Sequence, residues 1–96
     1  MISESQKAIV LQCIKPLRPL KVGVFGSYAR GENTLTSDLD FLVHLDYSVP
    51  ISLLRLIAVE QDISDALGIP VDLVTEKSLH PLIRPVVEKE VNYISE

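Results

Sequence analysis

The sequence predicts a small α/β (α+β) domain in which a short mixed β-sheet is packed with helices. Its length of 96 residues fits one small domain, so we expect residues 1–96 to form a single unit. Hydrophobic residues make up 47% of the chain and aromatic residues only 5%, which indicates an aliphatic core. Short apolar runs of strand length alternate with helical patterns, and this alternation is typical of a sheet covered by helices.

The first half of the chain is predicted to form a helix, a strand, a brief helix and a second strand. Ser3 can form a capping box with Gln6, apolar residues follow at helical spacing, and Pro16 and Pro19 end the helix. The next segments are a buried strand over 21–25, a tight turn leading into a brief helix over 26–31, a polar loop over 32–37 and a second strand over 38–45.

The second half is predicted as helix, strand and helix, giving the order α-β-α-β-α-β-α. The segments are a turn at 47–50, the longest helix at 51–67, a third strand at 71–75 and a broken helix within 79–93. Gly68 and Pro70 supply the stop signal of the long helix. Ile51, Leu54 and Ala58 lie off its main apolar face and either widen the core stripe or form an interface; we favour the core.

Charge and cysteine content exclude several classes of protein. The net charge of −4 disfavours a plain nucleic-acid-binding module, so we expect no direct nucleic-acid binding. Cys13 is the only cysteine, which excludes an intrachain disulfide and a Cys-rich metal site. The N-terminus lacks a signal-peptide pattern, and no apolar run approaches the ~20 residues that span a bilayer. We therefore expect a soluble cytoplasmic protein without a membrane segment.

Gly26 and Ser27 directly follow the first predicted strand. Glycine lets the backbone turn sharply and approach a ligand, and free N–H groups at such a turn suit phosphate oxygens. The loop is not a Walker A motif, because Glu32 and Asn33 stand where Lys and Ser/Thr are required. By itself Gly-Ser is more typical of an ordinary strand–helix turn.

Asp38 and Asp40 are separated by two positions in the second predicted strand and should point to the same side. Two adjacent carboxylates repel each other unless a cation lies between them, and oxygen ligands suit Mg²⁺ or Mn²⁺. Alternatively, Asp38 caps a turn and Asp40 is simply solvated.

Asp72 lies in the middle of the third predicted strand, where an unpaired carboxylate is unfavourable unless the strand faces water. If this strand lies beside the one that carries Asp38 and Asp40, three carboxylates converge as a two-metal phosphoryl-transfer site requires.

Gly26-Ser27, ten intervening residues and then Asp38-Leu39-Asp40 resemble the signature of the DNA polymerase beta-like nucleotidyltransferase superfamily. The compact length and the sequence GSYARG-x₆-SDLDFLV look like its minimal nucleotidyltransferase (MNT) branch. The resemblance implies a nucleotidyltransferase-like fold. It also implies that Gly26 and Ser27 bind the phosphates of the nucleotide, that Asp38 and Asp40 bind two metal ions, and that Asp72 binds the catalytic one. Arg30, inside the loop, either pairs with a phosphate or is a solvated surface residue.

MNT proteins resemble this chain in lacking an acceptor-binding domain, and the resemblance implies a protein partner. In that family the partner is typically a HEPN-domain ribonuclease toxin, and the MNT protein is its antitoxin. We therefore expect AMP transfer from ATP, with two Mg²⁺ (or Mn²⁺) ions, onto a toxin tyrosine within a hetero-oligomer. The alternatives are an antitoxin that neutralises its partner by binding alone and a nucleotidyltransferase for a small-molecule acceptor.

Overall fold

A computed structural model describes residues 2–95 and contains a four-stranded mixed sheet with helices. The helices are α1 (Glu4–Ile14), α2 (Ser27–Arg30), α3 (Leu53–Leu67) and α4 (Arg84–Glu90), and short 3-10 turns occupy Lys15–Leu17 and Glu76–Ser78. The strands are β1 (Pro19–Phe25), β2 (Leu39–Leu45), β3 (Val71–Thr75) and β4 (Asn92–Ser95). This architecture confirms the predicted fold class.

The strand order β3-β2-β1-β4 places the two strands of the predicted site next to each other. β1 pairs antiparallel with both β2 and β4, whereas β2 and β3 run parallel and are connected through α3. The parallel register sets Asp40 directly opposite Asp72. On its other side Asp40 pairs with Phe25, the last residue of β1. The sheet therefore brings three segments distant in sequence to one position.

The main core lies between one face of the sheet and helices α1 and α3. β2 contributes Leu39, Phe41 and Val43, which are fully buried. α3 contributes Val59 and Ile63 to the same cluster. Because alternate residues of a strand face opposite sides, Asp40 must then lie on the other face of the sheet.

The helix ends follow the predicted signals. Ser3 and Gln6 form the capping box, since the Gln6 N–H donates to Ser3 Oγ at 3.1 Å and the Ser3 N–H donates to Gln6 Oε1 at 2.8 Å. Gly68 ends α3 in the left-handed conformation, with φ 69°. None of the helices found in residues 2–95 combines the length and the apolar character needed to cross a membrane.

Two expectations about the elements are wrong. The tail predicted as a broken helix contains only α4, because Val91 is extended (ψ 134°) and the following residues form β4 against β1. This strand supplies hydrogen-bond partners to an edge of β1 that would otherwise be left open. On α3, Leu54 and Ala58 are exposed instead of widening the core, whereas Ile51, just before the helix, packs against the core as expected.

Candidate active site

The turn after β1 depends on glycine for two reasons. Gly26 has φ 76° and ψ −153°, a backbone conformation that essentially only glycine adopts. A Cβ at this position would also collide with Oδ2 of Asp40. The Gly26 carbonyl accepts the Arg30 N–H at 3.1 Å, which starts the single turn of α2 with Ser27 as its first residue. The loop is thus held directly against the Asp40 carboxylate.

The three predicted carboxylates lie on neighbouring segments. Asp40 is half-buried at the centre, with the Gly26 turn on one side and Asp72 of β3 on the other. Asp38 is exposed and immediately precedes β2, whose first residue Leu39 donates its N–H to the carbonyl of Pro70 at 2.8 Å. That bond fixes the start of β2 against the start of β3. The structure therefore brings Asp38, Asp40 and Asp72 to one end of the β2–β3 pair.

The electrostatics of this end are unfavourable for a bare carboxylate. The pKa of Asp40 is raised from 3.8 to about 6, first by burial and then by the charges of Asp72 and Asp38, while Arg30 opposes the shift. Glu90 adds another negative charge that raises the same pKa. A site with this excess of negative charge is suited to bind a cation.

The donor set fits a hard divalent cation, because carboxylate oxygens are the ligands that Mg²⁺ and Mn²⁺ prefer. As the side chains stand, residues 2–95 contain no group of three or more His, Cys, Asp or Glu arranged to hold a metal ion. Carboxylates of like charge separate when no cation lies between them. The agreement with a metal site therefore lies in the backbone placement of the carboxylates.

Arg30 lies at the edge of this cluster and is engaged by two other carboxylates. Its Nε donates to Glu32 Oε1 and its Nη1 donates to Glu90 Oε2, both at 2.8 Å. The guanidinium is therefore held by protein groups and is not simply solvated. Its positive charge still acts on Asp40.

Two glutamates that sequence reasoning missed support the site. Glu90, at the end of α4, contacts Arg30 across 60 residues of sequence. Glu60 of α3 accepts the outward N–H of Leu73 at 2.8 Å. This bond holds the edge strand β3 in place at the residue that follows Asp72. Both residues occur in helical patterns where a glutamate usually indicates a solvated face, so the sequence contains no signal for either contact.

A glycine turn held against a carboxylate, with further carboxylates on adjoining segments of a mixed sheet, is an arrangement for phosphoryl transfer. Comparison with known families agrees. Residues 7–94 match the model of the nucleotidyltransferase domain, and the chain belongs to this family of enzymes.

The relatives refine this assignment. The solved structure of a candidate minimal nucleotidyltransferase superposes with a TM-score of 0.79 at 34% identity, covering 92% of this chain and 88% of that one. The protein adenylyltransferase MntA of Thermococcus cleftensis is 45% identical over 74 residues, which are 77% of this chain and 73% of the relative. MJ0126 of Methanocaldococcus jannaschii, named as a candidate protein adenylyltransferase, is 50% identical over 74 residues, covering 76% and 74%. The resemblance to minimal nucleotidyltransferases is thereby confirmed.

The fold also occurs in a toxin–antitoxin complex. A crystal structure of a toxin–antitoxin with AMP-PNP matches with a TM-score of 0.77 at 20% identity, over 91% of this chain and 70% of that chain. At this identity the likeness establishes the shared fold.

Proposed function

We propose that this chain is a divalent-metal-dependent protein adenylyltransferase that transfers AMP from ATP to a tyrosine of a HEPN-domain toxin and so acts as its antitoxin. The observation that carries the proposal is the contact of the Gly26 turn with Asp40, which itself lies beside Asp72. It is supported by the adenylyltransferase name of the relative MntA. It is also supported by a structural neighbour described as a tri-AMPylated HEPN toxin of Shewanella oneidensis with its MNT antitoxin.

The nucleotide would bind at the Gly26 turn. The backbone of Gly26 and Ser27 can approach the triphosphate closely because no side chain at Gly26 intervenes, and the Ser27 hydroxyl can donate to a phosphate oxygen. Arg30 would supply a positive charge from the far end of the same helical turn. These residues orient the α-phosphate toward the carboxylates.

Asp38 and Asp40 would hold two Mg²⁺ or Mn²⁺ ions, and Asp72 would hold the one nearer the acceptor. Bound there, the ions would lower the pKa of the attacking hydroxyl and stabilise the negative charge that develops on the leaving pyrophosphate. Asp72 is exposed on the edge strand, where an incoming protein can reach it. The tyrosine oxygen forms a bond to the α-phosphorus, the bond from that phosphorus to the bridging oxygen breaks, and pyrophosphate leaves. The phenolic proton passes to Asp72, which acts as the base.

Residues 1–96 would act as one domain in the cytoplasm, within a hetero-oligomer that includes the toxin. The position of the site supports this assembly, because Asp72 is exposed on the edge strand, where a partner can present the acceptor. The net charge of −4 supports a protein acceptor over a nucleic acid.

Label transfer tests the proposal. The chain is mixed with Mg²⁺ and its HEPN-domain partner, using ATP labelled on the α-phosphate in one reaction and on the γ-phosphate in another. We expect label on the partner from the α position alone, and loss of that label with Asp40→Asn. The matched control is Asp65→Asn on α3, an exposed carboxylate that should leave transfer intact.

Two results would contradict the proposal. Full transfer by Asp40→Asn would remove the site assignment. A stable complex with an unlabelled partner would show neutralisation by binding alone. The exposed Leu53, Leu54 and Ile57 of α3 offer an apolar surface for that second case.

A further inference from the structure

Arg30 forms ion pairs with two carboxylates that differ in solvent exposure and in distance along the sequence. Glu32 is a near neighbour in sequence and its side chain is 65% exposed, whereas Glu90 comes from the end of α4 and is 18% exposed. Fully exposed ion pairs contribute little because water and salt screen them. The Glu90 contact is better shielded, and it ties the loop after β1 to a distant helix. It is therefore the contact that ties the Arg30 side chain to a distant part of the fold.

This contact is close to the proposed nucleotide site. Arg30 is the last residue of α2, which begins directly after Gly26, and the charges of Arg30 and Glu90 both act on the Asp40 carboxyl. Of the five N–H groups of a guanidinium, Arg30 uses Nε for Glu32 and Nη1 for Glu90. Among residues 2–95, Nη2 donates to no side chain or backbone carbonyl, so its two N–H groups remain for a ligand.

We infer that Glu90 is a positioning residue for nucleotide binding, which holds Arg30 so that its Nη2 group meets an oxygen of the triphosphate. The inference rests on the proposed function only in taking a nucleoside triphosphate as the ligand. Glu90 does not touch the nucleotide, and its whole effect passes through Arg30. A negative charge with no such role would repel the triphosphate, and its removal would then tighten binding.

The test measures the affinity for AMP-PNP with Mg²⁺ by isothermal titration calorimetry, which needs no acceptor. The variants are Arg30→Ala, Glu90→Ala, the double variant, and Glu90→Gln, which keeps an acceptor oxygen. Glu88→Ala is the matched control, because it removes an exposed glutamate two residues earlier on the same helix. Melting temperatures confirm that each variant is folded, and Glu90→Gln replaces Glu90→Ala in the cycle if the latter does not fold.

We expect Arg30→Ala to weaken binding by about 10-fold or more, the usual effect of losing a charge-assisted hydrogen bond. Glu90→Ala should weaken it by roughly 3- to 10-fold, with a smaller loss for Glu90→Gln and none for Glu88→Ala. The double variant should bind no more weakly than Arg30→Ala, because Glu90 has nothing left to position. In turnover, KM for ATP should rise while kcat changes little.

Unchanged or tighter binding by Glu90→Ala would overturn the inference, as would additive losses in the double variant. The outcome is separable from that of the proposed function. If the wild-type protein binds AMP-PNP and follows this pattern but transfers nothing to the partner, the adenylylation proposal fails and the role of Glu90 stands. If the wild-type protein binds no AMP-PNP, both fail.

Discussion

Replacing Gly26 by alanine tests the contact on which the site depends. The φ of 76° and ψ of −153° lie in a region that costs a residue with a side chain about 1–3 kcal/mol. The added methyl group would also meet Oδ2 of Asp40, so either the turn or the carboxylate must move. We expect Gly26→Ala to lower the free energy of unfolding by about 1–3 kcal/mol and to abolish most activity.

The effect on activity should exceed the effect on stability. A shift of about 1 Å between reacting groups can reduce the rate by roughly 100-fold, and the Gly26 turn and Asp40 cannot keep their present separation once a Cβ is added. A loss of about 2 kcal/mol in stability would leave most molecules folded if the protein has the stability usual for small domains. Any large loss of transfer in folded protein therefore reports on the site itself.

Gly68→Ala provides the control for backbone strain. Gly68 has a similar φ of 69°, but a Cβ there meets nothing within 4 Å, so strain of about 1 kcal/mol is its only penalty. Urea unfolding gives the stability of both variants, and α-labelled ATP gives their transfer rates. If Gly26→Ala loses no more activity than Gly68→Ala, the close approach of the turn to Asp40 has no catalytic importance and the reasoning is refuted.

Three further predictions concern stability. Because the pKa of Asp40 is raised from 3.8 to about 6 in the folded protein, the folded state binds this proton more tightly, and the metal-free protein should lose stability as the pH rises between those values. The loss should be on the order of 1 kcal/mol after solvent screening, and urea unfolding in EDTA should show it disappear in Asp40→Asn. Mg²⁺ at about ten times its Kd should stabilise the protein by about 1.4 kcal/mol at pH 7.5, and an unchanged melting temperature in millimolar Mg²⁺ would argue against an assembled site. Glu60→Ala should lower the free energy of unfolding by about 1–3 kcal/mol, because it leaves the part-buried N–H of Leu73 without an acceptor. Glu60→Gln should retain most of the stability in the same unfolding measurement.

Those parts of the candidate site that lie in a short sequence pattern could be predicted. The spacing of Gly26-Ser27 and Asp38-Leu39-Asp40 identified the loop and two carboxylates, and Asp72 was expected beside them if its strand was adjacent. That adjacency depends on strand order, which short apolar runs do not encode. In the structure β2 and β3 are neighbours, and their parallel register places Asp40 opposite Asp72. Whether these residues bind metal and nucleotide stays a prediction.

Other features were beyond reach because they arise from long-range contacts. β4 exists through its pairing with β1, and taken alone the segment after α4 continues a helical pattern. The exposed face of α3 follows from which side the sheet and α1 cover, a choice that periodicity alone does not make when apolar residues occur on more than one side. Glu60 and Glu90 gained their roles only when the fold brought Leu73 and Arg30 to them.

The bond from Leu73 to Glu60 also limits how another protein can attach to this end of the sheet. An edge strand normally offers its outward N–H groups to an incoming strand, which then extends the sheet. In β3 one of those groups is already taken by a side chain from α3. A protein that brings its hydroxyl to Asp72 must therefore approach without adding a strand at Leu73. Because this N–H is already paired, the same contact also makes the β3 edge less able to pair with the edge strand of another copy.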